Sequence, residues 1–360
     1  MGQKRTIIIA EAGVNHNGSV ELAEQMVDRA AEAGADWVKF QTFRADQLVT
    51  RAAPKAQYQV ENSQSQETQF EMLSRLELGS AAHQHLFDYC RRRGIGFLSS
   101  PFEEESLNML TRTVGVEMLK LASGEITNGL LMLAAARTGL PIILSTGMST
   151  LKEIEQALGV LAFGYLQRNE LPSLPRFAEA FHSPAGKQVL REQVILLHCT
   201  SEYPAPYSDV NLRAMDTLTQ AFGLRVGLSD HTAGVAIAIA AAARGAAVIE
   251  KHFTLDRNMP GPDQKASLNP EELRLMVQSI RQVEAAMGSG EKVAQPAEAS
   301  NKAIVRKSLV ALQPIGRSEL FTEANLGMKR PGSGINPMRY WEYLGREAQR
   351  NYETDELIEE

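Results

Sequence analysis

Eight short apolar runs, each closing on polar or charged side chains, recur along the chain: IIIAE (7–11), DWVKFQ (36–41), IGFLSS (95–100), MLKLASGE (118–125), PIILST (141–146), VILLHCT (194–200), RVGLSD (225–230) and AVIEKHF (247–253). Helix-patterned stretches separate most of them. In SVELAEQMVDRAAEAG (19–34) apolar residues recur every three or four positions. Ser19 stands as a cap, Glu21 and Glu24 fall in the first turns, and Gly34 closes the segment. Runs that are apolar throughout suit parallel strands, which are buried on both faces. Eight strand–helix alternations predict an α/β fold, a (β/α)₈ TIM barrel, whose strand ends converge on one mouth. The expected mouth carries Glu11, Lys39, Gln41, Ser99, Ser100, Lys120, Ser123, Glu125, Ser145, Thr146, His198, Thr200, Ser229, Asp230, His231, Lys251 and His252.

The chain has 360 residues, room for a barrel of ~250 residues and an appendage. The pattern changes after GEKVAQPAEASNKA, where short β-like runs and turn residues replace long helices. The expected division is a barrel over 1–288, a linker over 289–300 and a small domain over 301–360, which at this size is expected to pack on a neighbour. Two stretches break the barrel rhythm. Residues 44–75 are polar and read as a lid or substrate loop, and residues 164–193 read as a surface excursion without chemistry. A net charge of −6 without a basic block argues against nucleic acid as a partner. Cys90 and Cys199 form no CxxC motif and imply a reduced, cytoplasmic setting. The apolar run before Glu11 is too short for a signal peptide or a membrane span.

His231 and His252 end adjacent expected strands. Two imidazoles with substrate and water oxygens suit Mn²⁺, or Mg²⁺ or Co²⁺, and a hydrogen-bonded pair of loop histidines is the alternative. Lys39 and Lys120 lie inside apolar strands, where a lysine must reach a site or a partner. Either they bind phosphate or carboxylate groups, or they pair with Glu11 or Glu125, and both can hold at once. Glu125, flanked by Ser123 and Gly124, is the candidate general acid or base. Glu11 would orient a sugar or support a lysine. Asn15 and His16, in GVNHNG, read as turn chemistry. Cys199 reads as a small core residue and His198 as structural.

Taken in order, IIIAEAGVNHNG, DWVKFQTF, FLSSPFEEES, KLASGEITN, ILSTGMST, LHCTSEYPAPYSDVNL, GLSDHT, EKHFTLD, GPDQKASL and KRPGSG resemble the sialic acid synthase family, which includes N-acetylneuraminate synthase and its legionaminic and pseudaminic acid relatives. The resemblance implies a barrel followed by an antifreeze-like (SAF, β-clip) domain. It implies a homodimer in which that domain covers the partner's barrel, with Arg330 reaching the partner's sugar and Lys302 lying near phosphoenolpyruvate. It places Lys39, Ser100, Lys120, Ser123, Ser145, Ser201 and Ser229 on phosphoenolpyruvate, although the family often has asparagine in place of Ser201. It places Glu11, Gln41, Phe102, Tyr203 and Asp263 around the sugar, the metal on His231 and His252, and catalysis on Glu125, Glu11 and Lys120. The expected reaction joins phosphoenolpyruvate, N-acetylmannosamine and water to give N-acetylneuraminate and phosphate. The alternative is N,N'-diacetyllegionaminate from 2,4-diacetamido-2,4,6-trideoxymannose, with pseudaminate behind it. The segment APKAQYQ (53–59) looks closer to the bacterial enzymes than to the phosphorylated-sugar synthases of animals. Two other readings are a barrel synthase acting on a sugar phosphate and a non-catalytic carbohydrate- or ice-binding protein.

Overall fold

Every expected run forms a strand. In the computed structural model, which describes residues 5–56, 59–60, 67–167 and 169–360, these are β1 (Ile7–Gly13), β2 (Trp37–Thr42), β3 (Gly96–Pro101), β4 (Leu119–Leu121), β5 (Ile142–Ser145), β6 (Val194–Cys199), β7 (Arg225–Asp230) and β8 (Val248–His252). They form one parallel sheet in the order β3-β2-β1-β8-β7-β6-β5-β4, and β3 and β4 lie side by side to close the barrel. The principal outer helices are α1 (Val20–Ala33), α2 (Ser80–Arg93), α3 (Glu104–Asn108), α4 (Gly129–Arg137), α5 (Leu151–Tyr165), α6 (Ala214–Phe222), α7 (Ala236–Ala243) and α8 (Pro270–Ala286). The caps of α1 are those read from the sequence. Ser19 accepts from the Leu22 amide, and Gly34 takes the left-handed φ of 84° that ends the helix.

Side chains alternate across each strand, and this period sorts inward from outward. Ile9, Leu98, Ile143, Ile195, Leu197 and Val248 point inward and fill the barrel's floor. Two residues further along their strands stand Glu11, Ser100, Ser145, Cys199 and Glu250, one layer closer to the mouth. Residues of the other parity, such as Ile8, Val38 and Phe40, pack outward against the helices.

This alternation corrects part of the expected mouth. Ser99 faces outward, 2.6 Å from Thr42 Oγ1, which itself lies 2.8 Å from His83 Nε2. Lys251 and Asp230 form a fully buried ion pair of 2.8 Å outside the cavity, and Asp230 also accepts from the Thr232 amide and hydroxyl. Thr146 donates to the Leu197 carbonyl, and His198 Nε2 lies 2.6 Å from the Val210 carbonyl, the structural role expected of it.

Among the described residues, the stretch from residue 44 includes the short helices Ala45–Leu48 and Gln69–Leu76, the second opened by a reciprocal Thr68–Glu71 cap. Part of APKAQYQ lies outside the described residues. Residues 164–193 are more than an excursion. Helices Leu174–His182 and Pro184–Gln193 pack on α5, and a Cβ on Gly159 would stand 2.8 Å from the Phe177 carbonyl oxygen.

The chain divides into two units, Met1–Met287 and Gly288–Glu360, one residue from the expected boundary. The second unit has its own apolar core, with Leu309, Phe321, Leu326, Tyr343, Tyr352 and Ile358 among its members. Strands β9 (Ser308–Ala311) and β10 (Leu326–Lys329) pair antiparallel there, supported by the isolated bridges Val310–Leu357, Ile315–Tyr352 and Leu320–Glu347. The expected linker is partly ordered as a turn at Pro296–Glu298 and the start of a helix at Ala299–Val305. Among the described residues no helix is long and apolar enough to cross a membrane.

Candidate active site

The strand ends surround a cavity of about 340 Å³. Its deepest layer is ionic. Lys39 Nζ lies 2.7 Å from Glu11 Oε2 and 3.8 Å from Glu250 Oε2, and donates to Ser100 Oγ at 3.3 Å. Lys120 donates to Ser145 Oγ at 2.7 Å and to the Leu121 carbonyl at 3.1 Å, and lies 3.8 Å from Glu250 Oε1. Ser229 donates to Glu250 at 2.8 Å. All four charged side chains are buried.

Burial pushes the Glu11 carboxyl up to about 7, against the pull of Lys39. Burial opposes charge on Glu250 too, but Lys120, Lys39 and the Ser229 hydroxyl hold it below the usual carboxylate range. Lys39 stays above its ordinary value because Glu11 and Glu250 outweigh its burial. Burial leaves Lys120 below its own. The two readings of the lysines therefore coexist: both face the cavity, and both have carboxylate neighbours. Glu250, rather than Glu125, is the carboxylate beside Lys120. Sequence reasoning passed over Glu250, although its parity with His252 in AVIEKHF marks it as inward-facing.

Around this layer lie the hydroxyls of Ser100, Ser123, Ser145, Ser201 and Ser229. Ser123 Oγ accepts from the Gly147 amide at 3.0 Å. Glycine at 147 leaves these hydroxyls in place, because a Cβ there would stand 2.4 Å from Ser201 Oγ and 2.9 Å from Ser123 Oγ and push them aside. Cys199 is the small buried residue expected, and it also faces the cavity. Its thiol lies 3.4 Å from Ser123 Oγ. Glu125 sits on the 3₁₀ turn Ser123–Thr127, accepts from Asn128 at 2.8 Å, and has its pKa raised by burial.

His231 and His252 come together with ring centroids 5.5 Å apart and planes at 66°. His231 Nδ1 lies 2.7 Å from the Thr200 carbonyl and Nε2 lies 3.3 Å from Ser229 Oγ, so Nε2 is the nitrogen that would meet a metal. Burial opposes a charged His231, but Cys199 and that carbonyl hold its pKa above the ordinary value. Burial and the neighbouring cations keep His252 neutral, the form a metal ligand takes, and its buried Nδ1 has no hydrogen-bond partner among the described residues. Two imidazoles of this kind fit a divalent ion that completes its shell with substrate and water. Among the described residues no three His, Cys, Asp or Glu side chains are grouped to hold an ion by themselves.

Gln41 donates to Glu11 Oε1 at 3.4 Å, and Phe102 lines the cavity. Tyr203 stacks on His231 at 4.2 Å and meets His252 edge-on at 5.4 Å. Asp263 Oδ2 is 4.0 Å from His252 Nδ1, and burial raises its carboxyl to about 6. Fifteen of the residues read from the sequence thus meet in one cavity. Lys302 and Arg330 do not: both belong to the second unit, and both are exposed.

A floor of paired lysines, a ring of hydroxyls, an imidazole pair and a half-buried glutamate make a site for a phosphorylated anion and an oxygen-rich co-substrate. Comparison with known proteins agrees. A model of the NeuB family matches residues 26–292. An N,N'-diacetyllegionaminic acid synthase of Campylobacter jejuni is 48% identical over 99% of this chain and 100% of its own length. A second, of Legionella pneumophila, is 43% identical over 96% of this chain and 90% of its own. The crystal structure of the N-acetylneuraminic acid (sialic acid) synthetase of Leptospira borgpetersenii superposes with a TM-score of 0.67 at 33% identity, over 83% of this chain and 90% of its own. With the family model spanning most of the chain and such relatives running nearly its full length, the chain belongs to the NeuB family, the sialic acid synthases.

Proposed function

We propose that this enzyme condenses phosphoenolpyruvate with 2,4-diacetamido-2,4,6-trideoxymannose and water, giving N,N'-diacetyllegionaminate and phosphate. The observation that carries the choice of sugar is the identity of 48% and 43% to two legionaminic acid synthases, against 33% to the sialic acid synthetase of known structure. It reverses the order expected from the sequence, where N-acetylmannosamine stood first.

In this reading Lys39 and Lys120, with Ser100, Ser123, Ser145, Ser201 and Ser229, hold the phosphate and carboxylate of phosphoenolpyruvate. The floor carries as many carboxylates as lysines, so an arriving anion needs one acid to give way. Glu11, with its pKa near 7, is the one that takes up a proton most readily. Carbon 3 of phosphoenolpyruvate attacks the aldehyde carbon of the open-chain sugar, whose oxygen takes the proton that Glu11 acquired and becomes a hydroxyl. Water adds to carbon 2 as Glu125 takes its proton, and the phosphate then leaves with its bridging oxygen to give the keto acid. Mn²⁺, Mg²⁺ or Co²⁺, held by His231 and His252, would polarise the aldehyde. Gln41, Phe102, Tyr203 and Asp263 orient the sugar. As the family resemblance implies, the proposed enzyme is a homodimer whose partner supplies Arg330 to the sugar and Lys302 near phosphoenolpyruvate.

Phosphate release from phosphoenolpyruvate, measured with each sugar before and after chelation, tests the proposal. Metal-dependent turnover, faster with the diacetamido sugar, is expected. Turnover of N-acetylmannosamine alone returns the assignment to N-acetylneuraminate synthesis, and turnover of arabinose 5-phosphate alone removes both.

A further inference from the structure

The cavity has two chemically opposite ends. The lysine floor is one. The other is built by Ala45–Leu48 and Gln69–Leu76, whose apolar side chains gather with Val14 and Phe43 in a cluster separate from the barrel core. Phe43, Leu48, Val49, Met72, Leu73 and Phe102 turn from this cluster into the cavity. The segment is polar in composition, yet Met72 and Leu73 are buried. Gln69 lines the same stretch, as does Gln59, whose side-chain oxygen accepts from the Ala56 amide at 3.0 Å.

Such a wall is poorly matched to a polyhydroxylated chain. A hydroxyl pressed against aliphatic side chains loses its water and gains no partner. An acetamido group is a better match, since its N–H and carbonyl answer a glutamine amide and its methyl answers an apolar surface. A methyl in place of a hydroxymethyl is better still.

We infer that the apolar wall of Phe43, Leu48, Val49, Met72, Leu73 and Phe102 selects the sugar. Leu48, Val49, Met72 and Leu73 receive the C6 methyl and the methyl of the C4 acetamido group, while Gln69 addresses the acetamido amide. This rests on the proposed reaction, which holds C1 of the open-chain sugar at the histidines. C4 and C6 then lie at the end of the chain away from the reacting carbon, toward the lid segment. N-acetylmannosamine differs from the diacetamido sugar at these two carbons and at no other. An apolar pocket rejects a molecule that merely adds a hydroxyl by only roughly 100-fold, so a preference of about 10- to 100-fold is expected, without absolute exclusion.

The test measures kcat/KM for three sugars: the diacetamido sugar, N-acetylmannosamine, and 2-acetamido-2,6-dideoxymannose, which differs from N-acetylmannosamine only at C6. The wild-type enzyme should favour the 6-deoxy compound over N-acetylmannosamine by about tenfold or more. Val49→Thr, which keeps the side chain's shape, and Leu48→Gln, both at half-buried positions, should each shrink the preference for the diacetamido sugar by about tenfold, with the KM for phosphoenolpyruvate unchanged. Equal wild-type rates with the two sugars that differ at C6, together with a preference unmoved by either variant, overturn the wall while leaving the diacetamido substrate standing. Wild-type turnover of N-acetylmannosamine alone overturns the assigned substrate, and the wall's ligand with it.

Discussion

Glu250 reaches across the barrel from β8 to within 3.8 Å of Lys120 on β4. The same carboxylate faces Lys39 from its other oxygen, so one acid holds both lysines of the floor. Removing one partner of a buried charge cluster costs about 3–5 kcal/mol, because the remaining charges stay out of water. Glu250→Gln is therefore expected to lower the melting temperature by several degrees. The lost counter-charge can be replaced by an anion. Inorganic phosphate should then raise the melting temperature of the variant more than that of the wild type. Equal phosphate-induced shifts would mean that Glu250 does not balance the lysines.

Glu125 has a different task. Its pKa is raised by burial, and only Asn128 opposes that. A general base works deprotonated, so activity should fall as pH drops through a pKa above the usual carboxylate range. Glu125→Gln should lower kcat by roughly 10²- to 10⁴-fold and leave the KM for phosphoenolpyruvate within a few-fold. The acid limb of the pH–rate profile should also disappear. Persistence of that limb in the variant would assign it to another group.

The imidazole pair predicts a metal dependence that can be read without turnover. Mn²⁺ added to the chelator-treated protein should raise its melting temperature, since an ion that binds only the folded state stabilises it. His231→Ala and His252→Ala should each abolish that shift. Thr200 acts only through its backbone carbonyl, so Thr200→Ala should keep it. A shift that survives both histidine variants places the ion elsewhere.

The barrel is legible in the sequence because buried parallel strands are apolar on both faces and end in polar residues at one mouth. Which of those polar residues enter the cavity is harder to read. AVIEKHF presents Glu250, Lys251 and His252 in succession, and only the two-residue period separates the inward Glu250 and His252 from the outward Lys251. Ser99 and Ser100 pose the same problem, and in the strand Ser100 faces in. The lid segment is obscure for another reason. Ala45–Leu48 is one turn long, too short for a helical period, so the cluster of Phe43, Met72 and Leu73 exists only once tertiary contacts form. Lys302 and Arg330 carry no local signal at all, and only the family resemblance connects them to a site.

His16 couples stability to acid. It is fully buried beside Phe40, and its Nδ1 accepts from the Gly18 amide at 3.0 Å. That bond puts the ring proton on Nε2, which has no hydrogen-bond partner among the described residues. Charging the ring would place a second proton on Nδ1, facing the Gly18 N–H. Burial accordingly lowers the pKa to about 4, with His83 adding to the effect. A histidine depressed in the folded state contributes stability that is full above its unfolded pKa, near 6.5, and is lost as pH falls through about 4. At 1.36 kcal/mol per unit, the loss amounts to roughly 3 kcal/mol. Carboxylates titrate in the same window, so the readout is a difference between two proteins. Urea unfolding at a series of pH values should show a steeper loss of stability between pH 6.5 and 4 in the wild type than in His16→Gln, which cannot take up that proton. Parallel curves would mean that His16 is charged in the folded protein, or that the turn opens at no cost.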